Sequence, residues 1–296
     1  MKGLHRPHGT LSDAGDPVLL LPEDAVWTYT GLRVLRLAAG ERRVIETGEF
    51  EAFVLPLAGS CTVRVDGGTF ELAGRASVFA RVTDFAYVPR DAEVEISTVG
   101  GIEVALPMAR CERRLTPKYG PAEEVPVEVR GAGQATRQVT NFGAPGVWEH
   151  ADKLNVCELL TPDGNWSSYP PHKHDEASAC EVVNEEIYYF RIAARDGINT
   201  GSEGFGMHRT YTADGSIDEN VAVRDGDVFL VPRGYHGPCI AAPGYSMYYL
   251  NVLAGPGPER SMAFCDDPAH SWVRSAWADE PLDPRCPLTS HEGRLA

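Results

Sequence analysis

His172 and His174 stand two residues apart in Tyr169-Pro170-Pro171-His172-Lys173-His174-Asp175. On a strand, residues i and i+2 share one face, so both imidazoles can address one point in space. Further along, the paired acids Glu185-Glu186 open the apolar, aromatic run Ile187-Tyr188-Tyr189-Phe190, and later His236 follows the turn Pro232-Arg233-Gly234. Three imidazoles and one carboxylate make a sufficient nitrogen and oxygen donor set for a divalent transition ion such as Zn, Mn or Fe. A lone His-x-His is better read as two unrelated histidines. The added acid at a strand start and the Pro-x-Gly-x-His turn favour a metal site.

The elements that must position these residues are short strands. Leu32-Arg33-Val34-Leu35-Arg36-Leu37 alternates apolar and basic side chains, as a half-buried strand does. Runs such as Cys61-Thr62-Val63-Arg64-Val65 and Phe85-Ala86-Tyr87-Val88 follow, with Gly59, Asp66-Gly67-Gly68 and Gly100-Gly101 as turn residues between them. Even spacing of this kind predicts sandwiches or barrels. The second half repeats the text: Gly226-Asp227-Val228-Phe229 with Leu230-Val231-Pro232-Arg233-Gly234 answers Ala76-Ser77-Val78-Phe79 with Tyr87-Val88-Pro89-Arg90-Asp91. Between His8 and His150 there is no histidine, so only the second half carries the donor set. The expected division is an N-terminal arm over 1–25, a metal-free barrel over 26–110, a connection over 111–135, a metal-binding barrel over 136–256, and a tail over 257–296 that packs back on the barrels.

The chain has 296 residues, 43% of them hydrophobic, which suits a globular protein of two ordinary domains or one large β domain. Its formal net charge of −15 argues against nucleic acid or an anionic membrane as partner. The seven cysteines are odd in number and widely spaced without Cys-x-x-Cys, which predicts free thiols in a reducing compartment. The N-terminal residues lack the apolar core of a signal peptide, and no apolar run reaches transmembrane length. A cytoplasmic protein is expected.

His-x-His, a spacer and Glu, then Pro-x-Gly and His, resemble the two motifs of the cupin superfamily. That resemblance implies an all-β bicupin, two jelly-roll barrels in one chain, with the first barrel degenerate. It also selects Glu186, the acid directly before Ile-Tyr-Tyr, as the ligand beside His172, His174 and His236. That choice turns Tyr188 and Phe190 inward; choosing Glu185 would turn Ile187, Tyr189 and Arg191 inward instead. The longer string Asn165-Trp166-Ser167-Ser168-Tyr169-Pro170-Pro171-His172-Lys173-His174-Asp175, with Gly204-Phe205-Gly206, Arg209-Thr210-Tyr211-Thr212 and Val231-Pro232-Arg233-Gly234-Tyr235-His236-Gly237-Pro238, is similar to the 5-deoxy-glucuronate isomerases of bacterial myo-inositol degradation. His208 departs from that pattern, which has Gln before the Arg. The resemblance implies aldose–ketose isomerisation of a deoxyuronate to 5-dehydro-2-deoxy-gluconate, with a divalent metal and no organic cofactor. A cupin metal dioxygenase and a non-catalytic sugar-acid-binding cupin are the alternatives; oxygen consumption and turnover separate them.

Such an isomerisation needs an ion to polarise the carbonyl and stabilise a cis-enediolate, a base for the carbon-bound proton, and a cation for the substrate carboxylate. Arg191 or Arg209 is expected to serve as the cation. If Arg209 faces the barrel interior, alternation brings Tyr211 with it as a hydroxyl partner or proton relay. Tyr248 and Asn251, three apart on one strand, face opposite sides; Tyr248 is the one expected in the pocket. Blander roles are expected for Trp166 and Tyr169 as rim packing, for Lys173 and Arg233 at the surface, and for Asp175 as a turn cap or an acceptor for a ligand His. The partner expected is a small deoxyuronate, and a homo-oligomer is compatible with the sequence.

Overall fold

The alternating runs form strands throughout, and among the described residues strand outweighs helix 47% to 6%. The computed structural model describes residues 3–195 and 203–295. In the second half, a seven-stranded sheet runs in the order His5–Arg6, Val228–Val231, Glu185–Ala194, Tyr245–Ala254, Asn155–Thr161, Arg137–Gly143 and Val127–Arg130. A second sheet contains Asp218–Val223, Gly206–Tyr211, Tyr235–Ala241, His172–Lys173 and Cys265–Asp266, with Trp166–Ser167 paired beside it. Between them lies a core that includes Leu159, Phe190, Phe229, Cys239 and Ala241. The first half is one nine-stranded sheet, curled around Leu35, Val54, Val63, Ile96 and Val104.

A third core joins the halves. Phe53, Leu55, Phe85 and Tyr87 of the first half pack with Phe142, Trp148, Leu250 and Val252 of the second. Phe53 meets Phe85 and Phe142 edge-on, at centroid distances of 5.4 and 5.5 Å, the arrangement aromatic quadrupoles favour. Tyr245–Ala254 is therefore buried along almost its whole length, because one face meets the interior of the second half and the other meets the first half. A strand covered on both faces reads as a continuous apolar run rather than an alternation.

The segment 111–135 contributes a strand to each half: Lys118–Gly120 pairs with Phe85–Val88 in the nine-stranded sheet, and Val127–Arg130 pairs with Arg137–Gly143 in the seven-stranded one. The N-terminal region is tied down on both halves as well. His5–Arg6 pairs with Val228–Val231, and Val18–Leu20 with Thr30–Leu37. Contrary to the expectation of free thiols throughout, Cys180 and Cys265 form a disulfide that ties the loop after His174 to the tail, while Cys61, Cys111, Cys157, Cys239 and Cys286 are free. Their wide separation in sequence hid the pairing; the tail brings Cys265 back beside Lys173. Among the described residues no helix is long and apolar enough to cross a membrane.

Candidate metal centre and its cavity

The His172–Lys173 strand lies against Tyr235–Ala241 with His172 opposite His236. The turn before His236 depends on glycine. Gly234 has φ +87°, and a Cβ there would sit 2.5 Å from the Tyr211 carbonyl oxygen. Its amide donates to Asp175 Oδ2 at 2.7 Å, so Asp175 caps the turn that presents His236. Lys173 points away from the histidines and pairs with Asp175 and Glu181 at 2.8 and 2.7 Å. Arg233 is exposed and donates to Ser216 Oγ.

Three of the four expected ligands converge. The ligand atoms of His174, Glu186 and His236 all lie within 4.8 Å of one another, and all three residues are buried. Glu186 Oε2 is 2.9 Å from His174 Nε2 and 3.1 Å from His236 Nε2. His174 Nδ1 lies 3.1 Å from the Asn184 carbonyl oxygen and His172 Nδ1 3.2 Å from that of Pro170. With Nδ1 donating to those carbonyls, Nε2 is the ring nitrogen left to meet a metal. His172 stands at the side of the group, its ring 4.5 Å from that of His236 and largely but not fully buried. Neither ring nitrogen of His236 makes a hydrogen bond, although both are buried. The 3.1 Å approach to Glu186 lacks hydrogen-bond geometry. Buried polar atoms are seldom left so, and the donor set suits a divalent ion.

The electrostatics are those of a tightly coupled cluster. Burial acts to raise the Glu186 carboxyl, but His236 and His174 outweigh it and hold the group well below the usual carboxylate range. Burial acts to lower His174, and the Glu186 hydrogen bond and charge raise it above its ordinary value. Burial, then His236, pushes His172 well down.

Alternation from Glu186 sends Tyr188 and Phe190 inward, and Glu185 to the opposite face. There the Glu185 carboxylate accepts the backbone N–H groups of Thr28, Tyr29 and Thr30 at 2.7 to 2.8 Å. The two adjacent acids thus serve different halves of the molecule.

A cavity of about 600 Å³ opens from this cluster. Its wall is one face of the seven-stranded sheet. Glu186 lies opposite Leu253, Tyr188 opposite Asn251, Asn251 opposite Cys157, and Tyr249 opposite Leu159. Burial raises the hydroxyls of Tyr188 and Tyr249 well above their ordinary values, so both stay protonated. Asn251 Oδ1 is buried without a hydrogen bond.

The expected catalytic residues lie elsewhere. On Gly206–Tyr211 the inward residues are Gly206, His208 and Thr210. Arg209 and Tyr211 share the outer face. Arg209 pairs with Asp218 at 2.9 Å and lies 4.3 Å from the Tyr211 ring centroid, and the Tyr211 hydroxyl donates to Asp267. Their shared face follows from alternation; its direction does not, because both faces of this strand carry polar side chains. Tyr248 turns to the first half, where its hydroxyl donates to Glu158 Oε1 at 2.8 Å beside Arg75. Its neighbours Tyr249 and Asn251 take the cavity instead. Arg191 is held by Glu103 at 2.6 Å and Asp225 at 2.9 Å, and so is already neutralised. Trp166 and Tyr169 pack edge-on, their centroids 5.4 Å apart. His208 is buried between Cys239 Sγ and Thr210 Oγ1.

With this geometry described, comparison with known proteins decides the family. The KduI/IolB family profile matches residues 6–273.

The chain belongs to the KduI/IolB family.

A relative from Geobacillus kaustophilus, named 5-deoxy-glucuronate isomerase, is 41% identical over 276 residues, covering 92% of this chain and 96% of its own. Among solved structures, an IolB-like protein from Salmonella typhimurium LT2 superposes with a TM-score of 0.83 at 33% identity, covering 92% of this chain and 99% of that one. Oxalate decarboxylase from Bacillus subtilis superposes at 0.62 with 11% identity, covering 90% of this chain and 80% of that one. This last likeness concerns the fold alone. The fold of this KduI/IolB chain is the all-β bicupin expected from the motifs.

Proposed function

We propose that the protein converts 5-deoxy-glucuronate to 5-dehydro-2-deoxy-gluconate, an aldose–ketose isomerisation, at the cavity beside His174, Glu186 and His236. The observation that carries this reading is the union of an extensive match to 5-deoxy-glucuronate isomerases with a buried His/Glu cluster that opens on a cavity of about 600 Å³. That space accommodates one small sugar acid.

His174, Glu186 and His236 would hold one divalent ion, Zn, Mn or Fe, with His172 completing the set from the open side. When bound, such an ion polarises the substrate carbonyl and stabilises the charge of an enediolate. The rest falls to the chain's own side chains. The Tyr188 hydroxyl, 3.2 Å from Ser168 Oγ, is kept protonated by burial and can donate to a substrate oxygen. The orphaned Asn251 Oδ1 can accept from a substrate hydroxyl, since the same cavity wall presents it beside Tyr188. Phe264, packed 4.5 Å from the His172 ring, covers the cluster from the tail and helps exclude water. The test is incubation with 5-deoxy-glucuronate with and without chelator, followed by NMR of the product. Conversion that stops with chelator and returns with added ion is expected. Absence of any ketose product from metal-replete protein would overturn the reading.

A further inference from the structure

We propose that Arg137 is the carboxylate anchor of the cavity, gripping the acid end of the substrate while the opposite end meets the His/Glu cluster; this rests on the isomerase reading above. The net charge of −15 makes the question pointed, because an anionic ligand must be held by a local cation. Four arginines line the cavity: Arg130, Arg137, Arg260 and Arg274. Three are already occupied. Arg274 grips Asp266 through Nε and Nη2. Arg130 is paired with Glu128 at 2.7 Å. Both amino groups of Arg260 donate to backbone carbonyls, those of Trp148 and Gly143, so although its buried Nε has no partner, no two-nitrogen edge of it is free.

Arg137 differs. It is 7% exposed, yet among the described residues no carboxylate pairs with it. Its Nη1 donates to the Ala135 carbonyl at 3.1 Å, and its guanidinium lies 5.8 Å from the Trp277 ring centroid. Those contacts fix the plane of the group. Nε is buried with no hydrogen bond, and among the described residues no acceptor meets Nη2. Nε and Nη2 form one edge of the guanidinium, the fork that takes a carboxylate side-on with two parallel hydrogen bonds. Burial lowers Arg137 to about 10, which leaves it charged at neutral pH. A buried cation with a free fork is costly without a partner, and a ligand carboxylate supplies one.

Its position suits a sugar acid. Arg137, Val139 and Asn141 alternate along one strand into the cavity. Val139 shares a row with Leu159 and Tyr249, whereas Glu186 lies opposite Leu253 at the far end of the wall. Arg137 and the cluster therefore stand at two ends of one cavity, with the row of Tyr188, Asn251 and Cys157 between them. A six-carbon uronate has its carbonyl and carboxylate at opposite ends of the chain. A neutral aldose would leave the fork unpaired and be rejected.

The test uses the full-length, metal-loaded protein with two inert probes: the C1 alditol of 5-deoxy-glucuronate, which keeps the carboxylate, and the carboxamide of that alditol. Calorimetric titration of wild type, Arg137→Gln and Arg137→Lys is compared, with thermal unfolding as the folding control. The wild type is expected to prefer the acid to the amide by about 30-fold or more, the range for a desolvated charge pair. Arg137→Gln should abolish that preference with the amide's Kd unchanged, and Arg137→Lys, charged but without the fork, should fall between. Acid binding in Arg137→Gln as tight as in wild type, or equal loss of both probes, would overturn the assignment. Failure of the isomerase reading looks different: wild type would leave 5-deoxy-glucuronate unconverted while the preference for acid over amide persisted.

Discussion

Replacing Glu185 and Glu186 by Gln, one at a time, should produce opposite defects. Glu186 Oε2 faces His174 and His236. Gln at this position keeps the volume but removes the only carboxylate in the cluster. Loss of an outer-shell partner alone costs roughly 10–100-fold in metal affinity, so loss of a ligand should cost at least about 100-fold. Glu185 accepts three backbone N–H groups and the Thr30 hydroxyl, all from the first half. An amide nitrogen in place of either oxygen opposes at least one of these donors. A hydrogen bond to a charged group contributes about 1.5–3 kcal/mol, which for a chain of this size corresponds to about 2–5 °C in Tm. Metal content by mass spectrometry and thermal unfolding, measured side by side, read the two effects. Glu186→Gln should be purified metal-poor, and Glu185→Gln metal-replete but less stable. Full metal occupancy in Glu186→Gln would refute the ligand assignment, and an unchanged Tm in Glu185→Gln would refute the tie between the halves.

Arg209→Ala should change neither KM nor kcat by more than about twofold, because Arg209 lies on the outer face of its strand with Asp218, away from the cavity; steady-state kinetics check this. Tyr248→Phe should leave KM unchanged and cost about 1–2 kcal/mol in denaturant unfolding, since it deprives the buried Glu158 of a donor. His208 gives a pH signature. Burial, then His236, lowers it to about 3 against an ordinary 6.5, so the folded state resists the proton that the unfolded chain accepts. The stability this costs grows as pH falls from about 6.5 towards 3. His208→Gln should flatten the dependence of unfolding free energy on pH in that window by up to one proton, and an unaltered slope would contradict the assignment.

Much of the site was legible because its signals are local. His-x-His on one strand, an acid opening an aromatic strand and glycines in a tight turn each follow from period-two geometry or from φ, and the structure brings His174, Glu186 and His236 together. The residues misplaced share a different property. Arg209 and Tyr211 were correctly put on one face, but which face is inward depends on the partner strand and not on the strand's own text. Tyr248 and Tyr249 are indistinguishable in sequence because Tyr245–Ala254 is buried on both sides. Arg191 could not be discounted without seeing Glu103 across the boundary between halves. Arg137 carried a usable clue: alternation from Arg137 through Val139 to Asn141 puts the guanidinium on the wall that also bears Leu159 and Tyr249, but only the sheet order shows that this wall faces the histidines.

Tyr245–Ala254 also sets a limit on how the molecule can be taken apart. Tyr249 and Asn251 look into the cavity, while Tyr248, Leu250 and Val252 are covered by the histidine-free half. A freestanding copy of the ligand-bearing half would turn that covered side into a bare apolar slab, each uncovered side chain forfeiting about 1.5–3 kcal/mol, and slabs of this kind associate with one another. The half that bears no candidate ligand is thus a permanent lining that keeps the working strand dry and single. Its sequence is free to lose metal chemistry, but not to lose the surface that faces Tyr248, Leu250 and Val252.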